Sequence, residues 1–199
     1  MPSPTAPVSH LLYLHGFRSS PKSTKARMVA ERVAARHPEV TWWCPQLPPS
    51  PGEAMQQVMD GVAAWPRDRM GVIGSSLGGF YATYVAQVCE CRAVLLNPAV
   101  DPARDLKKYV GEQASWHDPE ERFYFDPRFI DELRLLQVAA IRRPEDLFAV
   151  IAKGDEVLDW REMTGRYPGA RIKLLEGSDH AITDFDRHMG EVLGFLGLG

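Results

Sequence analysis

The sequence predicts an α/β protein built on a mostly parallel six-stranded sheet with helices on both faces. Two observations carry that prediction. From about residue 9 onward, short apolar runs alternate with longer segments of helical periodicity, and the runs are apolar enough to read as strands buried inside a sheet. A third observation is size: 199 residues, 45% of them hydrophobic and 25% charged, suffice for one domain around one core over residues 1–199.

Taken in order, residues 10–15 form the first apolar run, ending at Gly16 and followed by a loop rich in Ser and Pro. Ala26, Val29, Ala30, Val33 and Ala34 then recur at helical spacing until Pro38 closes the segment. Residues 40–44 read as the second strand. Ser50-Pro51-Gly52-Glu53 has Ser at the N-cap, Pro at N1 and Glu at N3, the pattern of a capping box. The helix it opens carries Ala54, Val58 and Val62 on one stripe, with Met55 and Met59 beside it, and stops at Trp65-Pro66. Residues 69–73, 93–96, 147–152 and 172–175 supply four more strands, and residues 79–89 a third helix.

Residues 70–89 contain no charge for the length of a membrane span. Four glycines and several hydroxyl side chains within them fit a strand, a tight turn and a helix better than one apolar helix. Residues 1–7 show no basic stretch followed by an apolar core, so they read as a frayed leader and not as a signal peptide. Cys44, Cys89 and Cys91 are too few and too unevenly spaced for a disulfide framework or a zinc site, and they read as buried free thiols in a reducing compartment. A net charge of −3 leaves no electrostatic footprint for nucleic acid or an anionic membrane.

One segment breaks the rhythm. Residues 101–146 are dense in charge and hold an aromatic cluster of Trp116, Phe123, Tyr124, Phe125 and Phe129. A connection this long is expected to be functional, and it reads as a small cap over the site containing one packed helix over residues 129–140.

The chemistry concentrates at the carboxyl ends of the strands, where open α/β sheets bind ligands. Gly74-Ser75-Ser76-Leu77-Gly78 fits G-x-S-x-G at a strand-to-helix junction, the context of a nucleophile elbow, with Gly74 and Gly78 leaving room for the sharp turn. A serine hydroxyl needs a base and a group that fixes the base's tautomer. Asp155 follows the strand over 147–152, and His180 follows the strand over 172–175, so the chain order is Ser, Asp, His, as in α/β-hydrolases. Glu156, Asp159 and Asp179 are the competing acids. His10, His15, His37, His117 and His188 are the other histidines. Leu77 N–H and Phe17 N–H are the expected oxyanion donors, with Gly16 turning the backbone and His15 orienting that loop.

Leu12-Tyr13-Leu14-His15-Gly16-Phe17, Gly74-Ser75-Ser76-Leu77-Gly78-Gly79, Leu96-Asn97-Pro98-Ala99-Val100, Gly154-Asp155-Glu156-Val157-Leu158-Asp159 and Gly177-Ser178-Asp179-His180 together resemble the YqiA-like esterases, small bacterial α/β-hydrolases. The resemblance covers most of the chain. It implies activity on carboxylic esters and acyl-CoA thioesters, no cofactor, no metal and a cytoplasmic setting, with Ser76, Asp155 and His180 as the triad. It implies nothing for residues 101–146. The expected partner is a small acyl ester or thioester, with neither nucleic acid nor membrane. Fold and triad alone do not choose among ester, peptide, amide and carbon–carbon bond cleavage, and a ligand-binding module on the same scaffold is the non-catalytic alternative. Epoxide and haloalkane hydrolysis would need a carboxylate where Ser76 stands. Against the eight-stranded form of the fold, six predicted strands imply that the first two are absent.

Overall fold

The computed structural model describes residues 6–116, 118 and 120–199. Its first four strands are β1 (His10–Leu14), β2 (Thr41–Trp43), β3 (Met70–Ser75) and β4 (Arg92–Leu96). The larger helices of this half are α1 (Thr24–Arg36), α2 (Pro51–Val62) and α3 (Leu77–Cys89). After β4 the chain forms α4 (Pro102–Asp105), an antiparallel hairpin of β5 (Gly111–Ala114) and β6 (Arg122–Phe125), and α5 (Arg128–Leu135). It returns through β7 (Leu147–Ala152), α6 (Trp160–Arg166), β8 (Arg171–Leu175) and α7 (Asp186–Phe195). The six long-range strands make one sheet in the order β2-β1-β3-β4-β7-β8, and every neighbouring pair is parallel.

The pleat divides the apolar strands between two cores. Leu12, Leu14, Val72, Leu95, Ala149 and Ile151 face a core completed by α2, α3, α5 and α6. Leu11, Tyr13, Ile73, Val94, Phe148 and Val150 face the opposite core, completed by α1 and α7. Strands buried on both faces need no polar alternation, which is why they read as continuous apolar runs. Each fully buried aliphatic side chain contributes roughly 1.5–3 kcal/mol, against about 1 kcal/mol for a net hydrogen bond, so these two faces dominate stability.

Residues 70–89 are a strand, a turn and a helix, and among the described residues no helix is long and apolar enough to cross a membrane. Cys89 and Cys91 are buried and Cys44 is half-buried, where burial pushes its thiol pKa up to about 12. The frayed-leader expectation needs correction where it can be followed. Residues 1–5 lie outside the described residues, but the Ala6 carbonyl accepts from Arg92 and Val8 N–H donates to Leu196 O. The start of the described chain is thus tied to the end of α7.

Between β4 and β7 the cap helix is shorter than expected. It ends at Leu135 instead of 140: Leu136 N–H still donates to Glu132 O and Gln137 N–H to Arg134 O, and beyond them the chain turns to the body of the protein. Gln137 Nε2 donates to Val100 O, while the Arg142 N–H and guanidinium donate to Gln87 Oε1 and Gln87 O near the end of α3. The capping box at α2 is also only half formed. Ser50 Oγ accepts from Glu53 N–H at 3.1 Å, as expected, but the reciprocal acid comes from α5: Glu132 Oε2 accepts from Ser50 Oγ at 2.7 Å and from Gly52 N–H at 2.9 Å. A carboxylate at a helix N-terminus also meets the positive end of the helix dipole.

Glu132→Ala should therefore lower stability by about 1–2 kcal/mol, since it removes two charge-assisted hydrogen bonds at a partly exposed site. Urea denaturation of the two proteins measures it, and an unchanged midpoint would show that α5 is held by apolar packing alone.

Candidate active site

The turn after β3 is set by close approach. A Cβ on Gly74 would lie 2.1 Å from Gly78 O, and one on Gly78 would lie 2.0 Å from Leu14 O at the end of β1. Only glycine at both positions lets α3 start against the sheet. Ser76, between them, takes φ 56° and ψ −119°, a strained conformation for a residue with a Cβ. Its backbone is held on both sides: Ser76 N–H donates to Leu96 O at 3.0 Å, and Ser76 O accepts from Gly79 N–H at 2.8 Å and Ala99 N–H at 3.0 Å. The strain aims Oγ away from the helix and toward the loop after β8.

There it meets a histidine. Ser76 Oγ lies 3.1 Å from His180 Nε2, and His180 Nδ1 lies 2.7 Å from Asp155 Oδ2. Asp155 Oδ1 accepts from the N–H groups of Val157 and Leu158, both at 2.8 Å, and the side chain has no solvent exposure. With that oxygen occupied, Oδ2 is the one presented to the imidazole. A carboxylate only accepts, so Nδ1 carries the hydrogen and Nε2 presents its lone pair to the serine hydroxyl.

The competing acids all have other work. Glu156 Oε2 accepts from His180 N–H at 3.1 Å, Asp159 Oδ1 from Arg161 N–H at the start of α6, and Asp179 Oδ1 from Thr183 N–H. His10 bonds Ser9 and packs on Trp65, His37 ends α1, and His188 lies 3.3 Å from Asp184. His117 lies outside the described residues. His15 sits where it can orient its loop: Leu47 N–H donates to Nε2 at 3.2 Å, so Nδ1 carries the hydrogen and donates to Gly16 O at 3.0 Å. The ring thereby joins the loop after β1 to the loop after β2.

Leu77 is the first residue of α3, so its N–H has no partner within the helix. Among the described residues, Phe17 N–H donates to no acceptor either. Gly16 packs against the serine, with the position of a Cβ 3.3 Å from Ser76 Cβ. Phe17's ring is wedged among Tyr109, Phe123 and Phe125 at centroid distances of 5.5, 6.0 and 5.2 Å. The aromatic cluster of residues 101–146 thus packs on the residue that follows Gly16, whose backbone lies against Ser76. Two further contacts staple the hairpin to the same loop: Arg18 Nε donates to Ala114 O at 2.6 Å, and Trp116 N–H donates to Arg18 O at 2.8 Å. The Arg18 guanidinium also lies 4.3 Å from the centre of the Trp116 ring.

Two residues were invisible as site components in the sequence. Asn97 is fully buried with φ 41° just past β4. Its Nδ2 donates to Asp179 O at 3.0 Å and His180 O at 3.1 Å, while Oδ1 accepts from Ala152 N–H at 2.7 Å. One amide therefore links the strand before Asp155 to the loop that carries His180. The available signal was an Asn-Pro pair ending a buried strand, a position that favours left-handed Asn. Lys25, in the first turn of α1, donates to Ala181 O, and burial lowers its pKa to about 8 despite the nearby carboxylates of Asp179 and Asp155. Nothing in its sequence context signalled this. Among the described residues, no group of three or more His, Cys, Asp or Glu side chains could hold a metal ion.

A profile of the uncharacterised protein family UPF0227 matches residues 10–197. The chain belongs to this family. The UPF0227 protein YcfP of Salmonella gallinarum is 20% identical over 191 residues, covering 95% of this chain and 99% of that protein. A UPF0227 protein of Yersinia pseudotuberculosis serotype O:1b is 22% identical over the same shares. Among solved structures, the mouse alpha/beta hydrolase domain-containing protein 10 superposes with a TM-score of 0.68 at 16% identity, covering 94% of this chain and 90% of that one. An esterase domain from a Rhodothermus marinus protein gives 0.66 at 22%, over 97% and 88%. Est1E from Butyrivibrio proteoclasticus, solved with ferulic acid, gives 0.65 at 14%, over 99% and 90%. This UPF0227 protein has the α/β-hydrolase fold.

Asn97→Ala should destabilise the protein by about 1–3 kcal/mol, because it strands the buried Ala152 N–H and two loop carbonyls. Chemical denaturation measures the loss, and a change below about 0.5 kcal/mol would show that water replaces the amide.

Proposed function

We propose that this UPF0227 protein is a serine hydrolase that cleaves carboxylic esters and acyl thioesters through an acyl-enzyme intermediate. The observation that carries the reading is the row Ser76 Oγ, His180 Nε2, His180 Nδ1 and Asp155 Oδ2, with links of 3.1 and 2.7 Å, standing at the start of α3. The esterases among its structural neighbours and the motifs that resemble YqiA-like esterases support the same chemistry. The three unpaired cysteines suit a reducing, cytoplasmic setting.

In this mechanism Ser76 Oγ attacks the acyl carbonyl carbon while His180 Nε2 takes the hydroxyl proton. Asp155 holds the ring and stabilises the imidazolium that forms. The carbonyl oxygen becomes an oxyanion held by the Leu77 and Phe17 N–H groups, aided by the positive end of α3. Collapse of the tetrahedral intermediate expels the alcohol or thiol, which leaves with the proton from Nε2. Water then attacks the acyl-enzyme by the same steps and frees the acid and Ser76. Residues 101–146 act as the cap: they position Phe17 through its ring and roof the site through Trp116.

Ser76→Ala should lower turnover of an activated ester by roughly a million-fold, and Asp155→Asn by on the order of ten thousand-fold through loss of the correct tautomer. A fluorophosphonate probe should label folded wild-type protein and not the Ser76→Ala variant. Ester cleavage at the wild-type rate by Ser76→Ala protein would end the nucleophile assignment.

A further inference from the structure

Ser76 stands where two clefts meet. Both are lined by Phe17, Ser76, Trp116, His180 and Ala181, but they run in different directions from there. The larger, of about 470 Å³, extends over Leu77, Ala99, Leu106, Tyr109, Val157 and Leu158. The charged groups at its edge are already engaged: Asp105 by Arg104, Glu156 by His180 N–H, Lys108 on the Tyr109 ring and Arg18 on the Trp116 ring. Between those groups its walls, Leu77, Ala99, Leu106, Val157 and Leu158, are hydrocarbon.

The smaller cleft, of about 370 Å³, runs between the start of α1 and the His180 loop. Its hydrogen-bonding side chains away from the shared rim include Ser23, Thr24, Thr183 and Lys25, set beside the apolar Met28, Ile182 and Phe185. The ammonium of Lys25 has three N–H donors, and Ala181 O takes one. The Ser23 hydroxyl, although at the N-cap of α1, makes no capping bond. These groups offer hydrogen bonds to a ligand rich in oxygen.

We propose that the larger cleft receives the acyl chain and the smaller one the leaving group. The substrate class is then an ester of a hydrocarbon acid with a polyhydroxylated alcohol. This inference rests on the proposed hydrolase reaction. Proton delivery gives the same orientation as the lining. The leaving oxygen must receive its proton from His180, and the smaller cleft is walled by four consecutive residues of that loop, His180 to Thr183. Leu77, whose N–H would hold the acyl oxygen, lines the larger cleft and not the smaller. Trp116, on the boundary, closes the roof over the bond to be cut.

Two ester series test this, read as ratios of kcat/KM: ethyl esters from acetate to decanoate, and octanoate esters of propan-1-ol and glycerol. The wild-type protein should prefer octanoate to acetate, and glycerol to propanol, each by about tenfold or more, the size expected when a pocket is filled or its polar groups are left unpaired. Leu158→Trp, or Leu106→Trp if it folds better by circular dichroism, should collapse the chain-length ratio and leave the glycerol ratio in place. Lys25→Met should do the reverse. Crossed effects, with the tryptophan changing the glycerol ratio and Lys25→Met the chain-length ratio, would overturn the assignment. Flat wild-type ratios would also overturn it. If Ser76 is labelled by the fluorophosphonate and esters turn over without either preference, the hydrolase reading stands and only the two-cleft inference falls; failure of both labelling and turnover removes both.

Discussion

The site depends on how closely α3 approaches the end of β1. Two glycines make that contact possible, and any side chain at either would meet backbone that has nowhere to go. The approach has a cost, concentrated at Ser76, whose strained backbone survives because β4 and the loop after it bond it from both sides. A serine in an ordinary helix would point along the helix surface. Here the same hydroxyl is lifted above the sheet edge, where loops from two other strands can reach it.

Strain is unevenly distributed in this molecule. Among the described residues, five other than glycine have positive φ: Arg18, Ser76, Glu90, Asn97 and Ile182. Glu90 ends α3, as left-handed residues commonly do. Besides Ser76 itself, the other three lie in loops around it: Arg18 holds the hairpin, Asn97 ties two loops together, and Ile182 turns the chain two residues past His180 with its side chain fully buried. A β-branched residue in that conformation is a true outlier and persists only where its surroundings over-determine it. The carboxyl edge of the sheet is therefore a preorganised surface, with strain in its loops offset by the packing of the two cores beneath.

The sheet and its helices were legible in the sequence because burial on both faces leaves unbroken apolar runs and amphipathic helices leave stripes. That Ser76, Asp155 and His180 come together was legible because each follows a strand, and the carboxyl ends of parallel strands converge on one edge of the sheet. What escaped was long-range. The carboxylate at the Ser50 cap comes from Glu132, while Glu53 contributes its N–H, because α5 folds back onto α2, a contact between residues 82 apart. The chain beyond α5 is held from afar in the same way, by Gln87 on the Arg142 N–H. The hairpin of β5 and β6 escaped because each strand is only four residues long, too short for the exposed-and-covered alternation of Arg122–Phe125 to stand out within a charged segment. Asn97 looked like the end of a strand; its role exists only once β7 and the His180 loop lie beside it.

The wedge of Phe17 among Tyr109, Phe123 and Phe125 makes the inserted segment and the loop after β1 one mechanical unit. The parts that would choose a substrate and the part that would stabilise its transition state share a single aromatic cluster. In this chain the insertion is not an independent module: a different insertion would have to rebuild a seat for residue 17. Relatives that differ in residues 101–146 are then expected to carry matching changes in the short stretch around positions 16–19, a covariation imposed by packing between two segments nearly a hundred residues apart.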